Sequence, residues 1–267
     1  ARDIPAGGWQ YAGQQVPCVP EFRYLGSVFH ETRGVSACVE ALRCAGLRAM
    51  WGMLGRCGDM ELASREIQVQ LFDALVASVL GFCAEVWGPA LLRGVREPIK
   101  CLDNPLQRVH SLFMRRLGGG LRKSTPRHLM LREFGCRPLV RGWLQAAVGL
   151  WNRVRQLPDD HMMRAVLSDS VSLGGDVGAS WFSDFSGVLA SFGALPADGL
   201  VTNGVPCALS APTVLTAFDN WFYACWRDLP VDPRSAPSES VHCCKYQQWF
   251  AVAAAGGLEA DPLLSLD

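Results

Sequence analysis

From residue 36 to residue 157, apolar side chains recur at every third and fourth position. This period commits the chain to helices and to the packing of helix on helix. Val39, Leu42, Gly46, Leu47, Met50 and Leu54 form one stripe and predict a helix over 36–56, with Ser36 as N-cap and Gly55 and Gly58 closing it. Ile67, Leu71, Phe72, Leu75, Val76, Val79 and Leu80 predict a second over 62–80. There the uncharged run 74–84 implies burial almost all round, and Gly88-Pro89 implies a stop. Ile99, Leu102, Leu106, Val109, Phe113 and Leu117 mark a helix over 97–117 that starts or kinks at Pro105. Gly118-Gly119-Gly120 is a break, and Pro126 opens a short helix that Gly135 stops. Residues 139–157 then make another amphipathic helix, with Trp143 and Trp151 eight apart on its core face.

The flanks read differently. Residues 1–21, rich in Gly, Pro and Gln, read as loop or extended chain. Phe22 to Phe29 alternates as a half-buried strand or hairpin arm does, with Phe22, Tyr24 and Val28 counted on one side. Beyond 165, Gly174, Gly175 and Gly178 read as a linker, 181–195 as a helix, 196–212 as loop, 213–229 and 239–255 as helices. The expected fold is therefore mainly α: a short N-terminal strand or hairpin, a helical bundle and a second helical region. The expected division is 1–35, 36–165 and 166–267.

Charge follows that division. The formal net charge is zero, yet residues 22–165 carry 21 Lys and Arg against 12 Asp and Glu, a net of +9. Residues 166–267 carry 3 against 11, a net of −8. Within 106–155, eleven basic residues face Glu133 alone. Solvated helix faces usually mix signs, so a single-signed stripe points to a polyanion, and arginine's planar fork suits phosphate. Arg108 and Arg115, seven apart, nearly superpose on one helix face, while Arg116 lies about 100° further round. The expectation is that the first two face a phosphate backbone and that Arg116 pairs with an acid such as Glu85 or Glu133. Glu85, close to an apolar run, is expected to pair with an arginine.

Eleven scattered cysteines without regular spacing argue against a disulfide framework and for a reduced, intracellular protein, nuclear or cytoplasmic. No signal peptide or membrane span is expected. His242-Cys243-Cys244 lacks a spaced partner pair for zinc, and the five histidines lie singly, so neither a metal site nor a catalytic assembly is expected. Asp159-Asp160 follows Pro158 and precedes a helical pattern, so one of the two reads as an N-cap.

One ordered series adds a further expectation. It runs from Phe22-Arg23-Tyr24-Leu25-Gly26 through Arg43 and Ala45 to Ala84-Glu85-Val86-Trp87. Leu102, Gln107-Arg108 and Arg115-Arg116-Leu117-Gly118 follow, and Glu133-Phe134-Gly135-Cys136-Arg137-Pro138-Leu139 closes it. Over roughly 20–160 this resembles the reverse transcriptases of non-LTR (LINE-type) retrotransposons, just after the catalytic palm. The chain departs from the family at Phe82-Cys83, where the family has Tyr-Gly. The resemblance implies a palm end with a primer-grip-like strand over 1–35, a basic thumb-like domain over 36–165 and an acidic connector over 166–267. It implies an RNA or DNA template-primer as partner, met by Tyr24, Gly26, Arg108, Arg115, Arg122, Lys123 and Arg127. The parent would be an RNA-directed DNA polymerase needing Mg. This portion, lacking an initiator Met and the family's catalytic aspartates, is expected to be part of a longer reading frame, inactive alone and without a cofactor of its own. The alternatives are a stand-alone helical interaction domain and a decayed element without function.

Overall fold

The computed structural model describes residues 9–11, 14–24, 26–176, 180–202 and 204–227. It is mainly helical, with a strand hairpin ahead of the helices. Within the stretch expected to be loop or extended chain lies a small antiparallel hairpin, β1 (Trp9–Tyr11) with β2 (Gln14–Val16). A second hairpin joins β3 (Glu21–Tyr24) to β4 (Ser27–His30), pairing Phe22 with Phe29, Arg23 with Val28 and Tyr24 with Ser27. The tight turn needs Gly26 at φ +87°. Because the turn resets the alternation, Val28 lies opposite Arg23, on the other face from Phe22 and Tyr24. Counting period two straight through residues 25–26 puts the three together wrongly. Val28 is buried, whereas all of β3 is exposed.

α1 (Val35–Asp59) is longer than expected at both ends. Gly34 is its N-cap, because the Ser36 hydroxyl is spent on the Arg33 carbonyl at 2.7 Å. Gly55 and Gly58 lie inside the helix, which ends where Glu61 turns left-handed at φ 52° and the Leu62 N–H reaches back to the Cys57 carbonyl. Gly46 marks its closest contact. A Cβ there would sit 2.2 Å from Leu80 Cδ2, so only glycine lets α1 meet the following helical stretch so tightly.

That stretch runs from α2 (Arg65–Phe72) through a π-helical turn (Asp73–Ala77) into α3 (Ser78–Leu80). The run 74–84 is not buried all round: Leu75 and Phe82 are exposed. Cys83 adopts φ 56°, ψ 25°, the left-handed conformation that glycine takes freely. α4 (Ala84–Leu91) follows and carries straight through Pro89. Proline lacks the N–H that would bond the Glu85 carbonyl, and the Trp181 indole N–H takes that carbonyl instead at 2.9 Å. The expected stop at Gly88-Pro89 is thus overridden by a tryptophan nearly a hundred residues away.

A 3-10 turn (Pro98–Leu102) precedes α5 (Pro105–Leu117), which starts at the proline with Asn104 as its side-chain cap. α5 ends in a Schellman turn: the Gly120 N–H bonds the Arg115 carbonyl, the Gly119 N–H bonds that of Arg116, and Gly119 lies at φ +73°. α6 (Arg127–Glu133) ends the same way around Gly135. α7 (Leu139–Arg155) buries both Trp143 and Trp151, as expected.

α8 (Met162–Asp176) continues through the glycine pair expected to be linker, and α9 (Trp181–Ser191) follows. In the expected loop, β5 (Val201–Thr202) pairs with β6 (Val205–Pro206), and α10 (Ala211–Arg227) completes the described chain. The expected helix over 239–255 and His242-Cys243-Cys244 lie outside the described residues. At the start of α8 the Met163 N–H is taken by His161 Nδ1 at 3.1 Å, so the histidine caps the helix. Asp159 and Asp160 sit exposed in the turn before it, contrary to the expected aspartate cap. No single helix among the described residues is long and apolar enough to cross a membrane.

One core joins these helices. It runs from Cys38 on α1 to Phe222 on α10. Through it passes a buried polar chain. The Leu139 N–H donates to Gln107 Oε1 at 2.9 Å, which fixes the amide so that its nitrogen donates to His110 Nδ1 at 3.1 Å. The Ser111 hydroxyl donates to the Gln107 carbonyl. His110 is therefore neutral with its proton on Nε2, where no acceptor is present. It stacks on Phe72, and Phe72 on Phe113. Burial pulls both His110 and His128 down to about 4.

Two outcomes are expected. Cys83→Gly should stabilise the protein by about 0.5–1 kcal/mol through relief of the left-handed conformation, whereas Gly46→Ala should cost roughly 1–3 kcal/mol despite alanine's better helix propensity. Urea unfolding of both measures this. Stability should also fall with acid. Above about pH 6.5 neither histidine contributes; below it the unfolded chain takes protons that the folded chain refuses until about pH 4. Thermal melts from pH 7.5 to 4.5 should show a progressive loss, worth roughly 3 kcal/mol per histidine by pH 4.

Candidate nucleic-acid interface

The basic residues emerge from α5, the loop after it and α6. Arg108 is exposed on α5. Two turns further along, Arg115 is partly covered and reaches forward, its Nη2 donating to the Lys123 carbonyl at 3.2 Å. That bond folds the loop carrying Arg122 and Lys123 back onto α5, and both loop cations are exposed. Arg127 opens α6 and holds it to the 3-10 turn, its Nη1 donating to the Leu102 carbonyl at 2.9 Å and to Asp103 Oδ1 at 2.6 Å. Burial lowers the affinity of the Arg115 guanidinium for its proton, and the nearby charge of Arg127 lowers it further. The Arg115 Nε is buried without an acceptor. Two guanidiniums thus stand close, and Arg115 forms no ion pair with a carboxylate among the described residues, beside two exposed cations on a loop. An anionic oxygen beside the exposed part of these guanidiniums would relieve the repulsion.

Arg116 departs from the expectation. It pairs with neither Glu85 nor Glu133. Its guanidinium lies over the exposed Trp51 ring of α1, 5.1 Å from the centroid. The turn of helix that separates it from Arg115 points it at α1, where an aromatic face rather than an acid waits. Glu85 is also without an arginine: none of the ion pairs among the described residues involves it, and its half-buried position leaves the carboxylate within reach of water.

Tyr24 and Gly26 sit apart from this cluster, on the β3–β4 hairpin. Tyr24 stacks with Phe22 at 6.4 Å, and both line a groove of about 570 Å³ whose other walls are β4, the start of α1 and the Cys83–Trp87 stretch. A Cβ at Gly26 would lie 3.4 Å from the Phe82 ring. The structure therefore brings together Arg115, Lys123 and Arg127, leaves Arg108 and Arg122 exposed, and puts Tyr24 and Gly26 at a separate aromatic face.

Acidic side chains from the C-terminal part neutralise other arginines. Asp184, buried on α9, grips Arg93 with two bonds of 2.5 and 2.7 Å. Asp219 on α10 takes both contacts from the Arg141 Nε at 3.0 Å. The sequence carries no signal for either pair, since partners 78 to 91 residues apart meet only through the packing of α9 and α10. Among the described residues, no group of three or more His, Cys, Asp or Glu is arranged to hold a metal ion. Asp159 contacts Arg164 at 3.4 Å and is otherwise open to solvent.

The chain matches no family model, no curated protein and no solved structure.

The arginines should separate by mutation. Arg127→Ala removes a charged bond to a main-chain carbonyl and an ion pair, and is expected to cost about 1.5–3 kcal/mol in urea unfolding. Arg115→Ala removes one long bond together with a repulsion, and should change stability by less than about 1 kcal/mol. Equal destabilisation by both would show that Arg115 is a structural tie.

Proposed function

We propose that this chain is the template-primer-binding portion of a retrotransposon RNA-directed DNA polymerase, and that it holds the nucleic-acid backbone on the face carrying Arg108, Arg115, Arg122, Lys123 and Arg127. The observation that carries the reading is the Arg115–Arg127 pair of guanidiniums, with its unsatisfied Nε–H and two exposed loop cations beside it. Contacts of this kind read phosphate and not base sequence, so binding with little sequence preference is the outcome. The motifs behind the family resemblance also lend support, because each has a definite physical task here: Gly26 makes the hairpin turn, Gln107 ties α5 to α7, Gly135 caps α6 and Pro138 opens α7. The intact enzyme would copy RNA with divalent Mg held by carboxylates from elsewhere in it. Asp159 and Asp160, exposed in a turn, make poor candidates for that role, and the chain alone should extend no primer.

A second reading is a helical interaction domain that binds an acidic protein. What favours it is the way Asp184 and Asp219 already occupy Arg93 and Arg141. Filter binding of a duplex across a salt series separates the two. The proposal expects log K to fall with log salt by roughly 0.9 per phosphate neutralised. Arg108→Ala with Arg115→Ala should then flatten that slope by about one for each phosphate no longer neutralised. A flat salt response, or tighter binding to a polyglutamate-rich protein than to duplex, selects the second reading.

A further inference from the structure

A cleft of about 370 Å³ opens between the π-helical turn and the first turn of α7. Asp73, Ser78 and Gly81 form one wall; Arg137, Arg141 and Trp143 form the other. Its volume is at the small end of the range for small-molecule sites. Neither wall is a plain surface.

The wall from α7 is built of donors. Gln107 takes the first N–H of α7, and the positive end of this seventeen-residue helix faces the cleft beside Arg137 and Arg141, the second of which Asp219 already holds through Nε. A helix end alone would carry nothing, but Trp143 adds an independent feature. Its side chain is only 3% exposed, and its indole N–H donates to no group among the described residues. The same indole edge flanks Gly81, Nε1 lying 3.7 Å from where a Cβ of Gly81 would be, so the N–H edge borders the cleft that Gly81 also lines. The two buried indoles with nearby carbonyls, Trp87 and Trp151, both donate to them, at 2.8 Å each. Trp143 is the exception: its N–H has no acceptor among the described residues and stays accessible from the cleft, where a ligand oxygen can take it in place of water.

The opposite wall is built of acceptors. The Ser78 hydroxyl spends its proton on the Ala74 carbonyl at 2.7 Å, which leaves its lone pairs facing outward. Asp73 reaches solvent as a whole residue, yet its carboxyl lies against the cleft wall, and desolvation there raises its pKa. Both stand on or beside the π-helical turn, a local widening that is frequent at functional sites because it re-aims side chains.

We propose that this cleft binds a small phosphate monoester bearing hydroxyl groups, of which a nucleoside monophosphate is the type: the phosphate lies against the Trp143 N–H, the arginines and the α7 N-terminus, and the hydroxyls donate to Asp73 and Ser78. The inference stands apart from the nucleic-acid reading, since it uses none of Arg108, Arg115, Arg122, Lys123 or Arg127.

The test is an NMR titration of the indole N–H resonances of the full chain, with the Trp143 signal assigned through Trp143→Phe. Adenosine 5′-monophosphate should shift that signal saturably, and adenosine, which lacks the charged group, should bind about tenfold or more weakly. Inorganic phosphate shifting the same signal marks the phosphate subsite. Gly142→Leu is the blocking variant: Gly142 lines the cleft, and a Cβ there meets nothing within 4 Å. It should abolish the shift with an unchanged or raised melting temperature, because leucine suits a helix better than glycine. Arg108→Ala should bind the monophosphate as the parent does. No Trp143 shift up to about 10 mM, beyond even weak millimolar binding, overturns the proposal, as does a shift that survives in Gly142→Leu. Equal affinity for adenosine and its monophosphate also overturns it.

Discussion

The side-chain amide of Gln107 holds the structure in register. It is fully buried, and its oxygen accepts the first N–H of α7 while its nitrogen donates to His110. α5 leads into the basic cluster and α7 carries the donor wall of the cleft. The bond from Gln107 to α7 ties the two helices together beside the apolar contacts of Leu106, Val109, Leu139 and Val140 in the shared core. The bond does two jobs. It satisfies a helix-start N–H that Pro138 leaves uncapped, and it selects the neutral tautomer of His110 that can lie flat on Phe72. Either partner left alone in that core would carry the full penalty of a buried unsatisfied group, about 1–3 kcal/mol.

The helices are legible in the sequence because their signal is local. Stripes at three and four spacing locate α1, α2, α5, α7 and α10, and the terminators Gly119, Gly135 and Pro105 act where their backbone preferences say they should. What escapes is set by contacts between distant segments. Pro89 reads as a stop, and nothing near it in sequence reveals that Trp181 will take the carbonyl it leaves free. The placement of Val28 escapes for a different reason, since a two-residue turn flips the parity of the count.

For the candidate site the division is similar. A single-signed basic segment is plain in the sequence, and its cations do surround one loop. Which of them is engaged is not plain, because helical angle fixes direction and not the neighbour. Arg116 points where its angle puts it and finds Trp51 instead of an acid. Arg127, indistinguishable from Arg122 by sequence, is engaged with Asp103 and Leu102 because α6 folds back on the 3-10 turn. Trp143 is legible as a core residue from its helical spacing; that its N–H lacks an acceptor is a property of three packed elements.

The account's central claim is that nucleic acid lies along α5 and the loop that follows it. Photocross-linking of a bound oligonucleotide, with the attached peptides identified by mass spectrometry, tests that claim most directly. The account predicts cross-links concentrated between residues 108 and 127, which disappear when competing salt is raised. Cross-links confined to α9 and α10, or persisting unchanged at high salt, would contradict it.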